Sequence, residues 1–151
     1  MSTRSIRSFF VAGGLLLAVA AGGGPARADE PVVHALLFYS PSCPHCEQVI
    51  TVDLPPLVEE YGDRLQIVLV NVRVEEGAAL YDAAVARFGL QDRRGVPTLI
   101  VAETALVGSA EIPARFPALV EELLAAGGAD LPDVPGLVEA LAAGSPAPTA
   151  L

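Results

Sequence analysis

The chain has no Trp, no Lys, one Met, two His and only two Cys among its 151 residues. Two cysteines, Cys43 and Cys46, exclude a multi-disulfide framework and a four-cysteine zinc site. With Lys absent, nine Arg stand against 18 Asp and Glu, for a formal net charge of −9. Three of those Arg (Arg4, Arg7, Arg27) lie in the segment 1–28, which holds no acid. From Asp29 onward six basic residues face 18 acidic ones, a net of −12. Such a chain lacks the basic face that displaces counterions from nucleic acid, so no nucleic-acid partner is expected. It does not dock on anionic lipid by charge either. The acidic excess favours solubility and is silent about fold. No apolar run reaches the roughly 20 residues of a membrane span. At 52% hydrophobic residues the chain is not disordered, and its length fits one domain.

The segment 1–28 reads as an address. MSTRSIR is basic, Phe9 to Ala21 is an apolar run interrupted only by Gly13 and Gly14, and GGGPARA places Ala26 and Ala28 as an A-x-A site. That order describes a secretory signal peptide cleaved between Ala28 and Asp29. The alternatives are an uncleaved membrane anchor, although the run falls short of a span even when stretched to Gly24, and a buried core helix. No cysteine lies near the cleavage site, which excludes a lipoprotein anchor. Leader and anchor both put the remainder outside the cytoplasm, in the periplasm or at the cell exterior, where disulfides persist.

After Ala28 the pattern alternates strands and helices. Val32–Tyr39 is an apolar run of β-formers and reads as a buried strand, broken by Ser40-Pro41-Ser42. Pro44 to Tyr61 reads as a helix. Pro44 suits a first helical position, and Val49, Ile50, Leu54, Leu57, Val58 and Tyr61 form its apolar face. Pro55-Pro56 should kink or split it. Leu65–Val72 is a second buried strand, and Glu75 to Phe88 a second helix. Gly95-Val96-Pro97 leads into a third strand, Thr98–Ala102. Glu103-Thr104 turns into Ala105–Val107, a hairpin without the usual glycine. Gly108 reads as a bulge or tight exit. Ile112–Ala126 is a last long helix containing Pro117. The order is β-α-β-α-β-β-α, an α/β domain over 29–128. Residues 129–151 read as a tail with one short helix, Pro135–Ala143, and an unstructured SPAPTAL end.

Cys43-Pro44-His45-Cys46 sits where the first strand gives way to the first helix. Spacing of i to i+3 at a helix start puts both sulfurs on one face, close enough to bridge. Free N–H groups and the positive end of the helix dipole favour the thiolate of Cys43, the attacking species. Pro44 and His45 tune it, His45 by adding positive charge and hydrogen bonding. Cys46, one turn deeper, suits the resolving role. An ordinary thiol of pKa about 8.5 is only about 3% thiolate at pH 7. Lowering that pKa stabilises the reduced form and makes the pair an oxidant of others. Other uses of the pair are a structural disulfide, half of a zinc site, or a copper(I) site, since two thiolates suffice for copper(I). A structural disulfide closing so short a loop constrains the unfolded chain little. His34, on a strand, reads as a packed or edge histidine, and no metal ligand is assigned.

From FYSPSCPHC through the βαβ unit to GVPT and the closing helix, about Val32 to Ala126, the chain resembles the thioredoxin superfamily. Its CPHC is the tetrapeptide of bacterial periplasmic dithiol oxidases of the DsbA type, without room for their inserted helical domain. SPSCPHCEQVI, DLPPLVEEYGDRLQIV, RRGVPTLIV and LVGSAEIP are similar to thioredoxin-like proteins associated with bacterial vitamin K epoxide reductase homologues, membrane enzymes that pass electrons from thiols to quinone. The resemblance implies a thioredoxin-like fold, a central mixed sheet of about four strands flanked by helices. It implies Cys43 as nucleophile, Cys46 as resolving thiol, and Pro97 as the cis proline beside them. Val96 would offer backbone groups to an extended substrate segment. Tyr39 takes the place where thioredoxins often carry Trp. Two departures stand out. Leu37 occupies the position of the family's buried acid, so proton transfer to Cys46 falls to Glu47 or water, and Ser42 replaces a bulky residue.

The reading is an extracytoplasmic thiol–disulfide oxidoreductase that donates disulfides to protein thiols, with no cofactor beyond its own Cys43–Cys46 disulfide. A separate membrane oxidase, of the vitamin K epoxide reductase type or otherwise quinone-linked, would recharge it. The rivals are a copper(I)-binding or chaperone protein, a reductase for cytochrome maturation, and a non-catalytic adaptor.

Overall fold

The computed structural model describes residues 30–144. The expected leader and the SPAPTAL end lie outside the described residues. Strand β1 (Val33–Tyr39) is central: it pairs parallel with β2 (Leu65–Asn71) and antiparallel with β3 (Thr98–Val101). Strand β4 (Thr104–Val107) adds to β3, giving a four-stranded mixed sheet in the order β2-β1-β3-β4. Helices cover both faces, so the α/β class expected from the sequence is the one found.

The period of two in β1 explains the layering. Val33, Ala35 and Leu37 point into one core with Leu54, Leu57, Ile112, Phe116 and Val120. Leu36 and Phe38 point into the other with Leu80, Tyr81, Ala84 and Val85. Helices α2 (Pro55–Tyr61) and α4 (Glu111–Ala125) therefore lie on the first face, and α3 (Glu75–Arg87) on the second. Pro117 lies inside α4, as the sequence implies, and the helix continues through it.

The single helix read over Pro44–Tyr61 is corrected in detail. Helix α1 covers only Pro44–Gln48, a π-helical turn follows over Val49–Asp53, and α2 restarts at Pro55. Pro55 and Pro56 have no N–H to continue an α-ladder. The chain widens one turn earlier, where Leu54 N–H donates to Val49 O at 3.0 Å, five residues back. The split expected at the proline pair is there, with the unwinding on its N-terminal side. The hairpin without a glycine also exists: Val101 faces Thr104, and Ala102 turns the chain at φ 47°.

The chain just beyond Gly128 is tied to the sheet. Ala129 N–H donates to Val32 O and His34 N–H to Ala129 O, each at 2.8 Å. The expected short helix is α5 (Leu137–Ala142), and Val134 and Leu137 are buried in the second core. Only glycine fits at 128, where φ is 99° and a Cβ would stand 2.5 Å from Val32 O.

Gly77 makes the other close approach. It lies in α3 against the end of β2, and a Cβ there would stand 2.0 Å from the Asn71 carbonyl oxygen. Ala in place of Gly normally favours a helix by about 0.5–1 kcal/mol, while overpacking costs about 1–3 kcal/mol. Gly77→Ala is therefore expected to destabilise the fold. A lowered urea midpoint at unchanged slope checks it; a raised midpoint would show that α3 shifts freely away from β2.

Candidate active site

Strand β1 ends at Tyr39, and the turn Ser40–Cys43 closes with Cys43 N–H donating to Ser40 O at 3.1 Å. Cys43 is the N-cap of α1, with extended backbone (φ −100°, ψ 113°) and Pro44 in the first helical position, as expected. Its carbonyl accepts from Cys46 N–H (3.0 Å) and Glu47 N–H (3.1 Å), which fixes the turn joining the two cysteines. Both thiols are free; Cys43 is half-buried, while Cys46 is buried at 1% exposure. That is the outer and inner pair the spacing implies.

The two thiols are driven apart in acidity. Burial opposes the Cys43 thiolate, but hydrogen bonds from the Cys46 thiol and from the Cys46 and His45 backbone N–H groups outweigh it, and Cys43 titrates below the ordinary thiol value. Burial pushes Cys46 up to about 11, with its hydrogen bond and charge interaction with Cys43 adding, and the Ser40 backbone N–H opposing.

Across from Cys43 lies the loop before β3. The Cys43 thiol donates to Val96 O at 3.6 Å, and the Val96–Pro97 peptide bond is cis. The structure thus brings together Cys43, Cys46, Pro44, His45, Val96 and Pro97. Three supporting residues escaped the sequence reading. Tyr81, on α3, accepts from Gly95 N–H (2.8 Å) and donates to Gly95 O (2.7 Å), holding the residue before Val96 on both its polar groups. Thr98 Oγ1 donates to the same carbonyl at 2.5 Å. Ser109 Oγ pairs with His45 Nδ1 at 3.1 Å, across 64 positions of sequence. No local motif announces such partners; they follow only from the sheet order.

A pocket of about 290 Å³ opens behind the cysteines, bordered by Tyr39, Ser40, Cys46, Glu47, Ile50 and Thr51. Glu47, exposed to solvent, and Cys46 therefore share one cavity. Leu37 is fully buried in the first core and brings no carboxylate from beneath. Tyr39 is half-buried and packs against that core. His34 lies toward the far end of β1 from the cysteines, its Nδ1 3.0 Å from Ala129 O. Among the described residues no group of three or more His, Cys, Asp or Glu could hold a metal ion, and no helix is long and apolar enough to cross a membrane.

The acidity split predicts selective alkylation. In the reduced protein Cys43 deprotonates first as pH rises, with its inflection below the ordinary thiol value, and Cys46 follows only near 11. At neutral pH iodoacetamide should add once, at Cys43, with Cys46 reacting at least tenfold more slowly. Equal labelling of both cysteines, read by mass shift, would refute the asymmetry.

No family model matches the chain, and no curated protein sequence matches it. Among solved structures it is similar to the germline-specific thioredoxin Deadhead (Thioredoxin-1) of Drosophila melanogaster, at a TM-score of 0.46 and 16% identity, covering 64% of this chain and 84% of the other.

Proposed function

We propose that the chain is a thiol–disulfide oxidoreductase that acts outside the cytoplasm and donates disulfides to protein thiols. The observation that supports this most is the pairing, at the two ends of the CPHC turn, of a half-buried thiol of lowered pKa with a buried thiol of raised pKa, the first of them facing the Val96 carbonyl. The His45 position and the leader-like segment 1–28 add to it.

In the oxidised pair a substrate thiolate attacks Cys43 Sγ. The Cys43–Cys46 bond breaks, a mixed disulfide forms on Cys43, and Cys46 leaves with the electron pair and takes a proton from Glu47 or from water in the shared pocket. A second substrate thiolate then attacks the substrate sulfur, and Cys43 leaves as a thiolate. The substrate gains one disulfide and the protein gains two electrons. No added cofactor enters the exchange. Once Cys43 holds no thiol proton, the Val96 carbonyl is free to accept from a backbone N–H of an extended substrate segment.

Two features favour the donor direction. A leaving thiol of low pKa leaves faster, which speeds the second step. Burial, the first cause of the high Cys46 pKa, persists in the mixed disulfide, so little Cys46 thiolate forms to reverse the first step. A separate quinone-linked membrane oxidase, of the vitamin K epoxide reductase type, would recharge the pair.

Cys46→Ala is expected to trap mixed disulfides on Cys43 when reduced secreted proteins are supplied, visible as adducts lost on reduction. The pair's reduction potential, from equilibration with glutathione and alkylation, is expected nearer roughly −120 mV than roughly −270 mV. A value at the reducing end would reverse the direction to a reductase. An absence of Cys43-dependent adducts, together with near-stoichiometric copper after anaerobic purification, would replace exchange with copper(I) binding.

A further inference from the structure

Two contacts link the CPHC turn to the ends of the β3–β4 hairpin, and a third joins those ends, closing a ring beside the Cys43 sulfur. Cys43 Sγ donates to Val96 O at 3.6 Å. Pro97 O, the next carbonyl, accepts from Gly108 N–H at 2.8 Å, where Gly108 leaves β4 at φ 96°. Ser109, the residue after Gly108, places its hydroxyl 3.1 Å from His45 Nδ1, which returns the path to the CPHC turn. The Ser109 side is anchored: Gly108 O accepts from Ile112 N–H at 3.2 Å, and Ile112, in the first turn of α4, is fully buried. The His45 side is not, because His45 is exposed and its ring has no other side-chain hydrogen bond among the described residues.

We infer that Ser109 is a positioning residue that latches the CPHC turn to the hairpin through the His45 imidazole, and so sets the geometry around Cys43. A serine hydroxyl suits this task because it can donate to a neutral Nδ1 and accept from a protonated one. It therefore holds the ring in either charge state, and in the neutral state one hydrogen bond to Nδ1 favours one tautomer over the free mixture. A held ring adds to the bonds that Cys46 N–H and Glu47 N–H make to Cys43 O in keeping His45, whose N–H is one of the donors to the Cys43 sulfur, in place. The latch thus favours the reduced, thiolate form over the disulfide. This inference rests on the exchange activity proposed above.

The test combines two readouts on the full chain. The first is the glutathione equilibrium of the cysteine pair in wild type, Ser109→Ala and Ser109→Thr. Ser109→Ala is expected to shift that equilibrium toward the disulfide by about threefold to tenfold, the range one hydrogen bond provides, with Ser109→Thr restoring it. In a His45→Phe background the Ser109→Ala shift should vanish, because the partner is gone. The second readout is the 15N spectrum of His45 at about pH 8, above the ordinary imidazole range. Wild type should show one dominant tautomer and Ser109→Ala a mixture. An unchanged equilibrium in Ser109→Ala, or the same shift in the His45→Phe background, overturns the latch. An unchanged His45 tautomer overturns it as well. If the wild-type pair fails to equilibrate with glutathione at all, the exchange reading fails instead, and the His45 spectrum still decides whether the latch exists.

Discussion

Strand β1 has no solvent face, and the position of the reactive pair depends on that. Val33, Ala35, Leu36, Leu37 and Phe38 are all fully buried, split between two cores by the pleat. A slip of one residue would exchange the two sets and empty both cores of their fitted partners. The register with β2 and β3 is therefore strongly specified. Where β1 ends is thereby fixed too, and Cys43 follows four residues after Tyr39. Each buried large aliphatic or aromatic side chain contributes about 1.5–3 kcal/mol. The strand that aims the cysteines is thus held by more hydrophobic free energy than any polar contact at the site supplies.

The polar contacts have a different task, which is to hold loops that the cores do not reach. Gly95 has no side chain to bury, so the Tyr81 hydroxyl secures it by bonding to its N–H and its carbonyl together. Phe38 packs on the Tyr81 ring at 5.2 Å between centroids, so the same tyrosine connects β1 to the loop facing Cys43. Glu111 does similar work on the other side of the hairpin. It accepts from Val107 N–H at 2.9 Å and pairs with Arg93 and Arg115, and the Val107 N–H leads in holding its carboxyl below the usual carboxylate range. Its ion pairs are partly exposed and are weak in isolation. Their value lies in joining the segment before Gly95 to the start of α4.

The order of elements was legible in the residues because buried strands and amphipathic helices announce themselves by period, and glycine and proline mark the joints. Bounds moved by about a residue. The outer and inner placement of Cys43 and Cys46 was legible because the two are three positions apart at a helix start. What was not legible is what the sheet brings together from afar. Tyr81 reads as one more apolar position on a helix, and Ser109 as an ordinary loop serine. Their partners, Gly95 and His45, are 14 and 64 positions away. The π-turn was hidden for another reason. The proline pair marks a break, but whether the chain kinks, splits or widens depends on which carbonyls the neighbouring N–H groups can reach.

The apolar Leu37 beneath the site gives the proposed exchange its asymmetry. A carboxylate under the inner cysteine would take its proton and make that thiol a ready attacker of mixed disulfides. Leu37 instead thickens the first core, and Cys46 is left buried with a pKa near 11. Among the described residues the carboxyl that borders the shared pocket is that of Glu47, which faces solvent. Fewer than about one Cys46 in a thousand is then ionised at neutral pH, by the ordinary titration relation. Cys43, by contrast, has its thiolate favoured against burial by hydrogen bonds from the Cys46 thiol and from the Cys46 and His45 backbone N–H groups. In the proposed cycle Cys43 is thus suited to leave in the second step, and Cys46, once it has left and taken a proton in the first, to stay protonated. That division suits a protein that hands its disulfide on and relies on a separate oxidant to restore it.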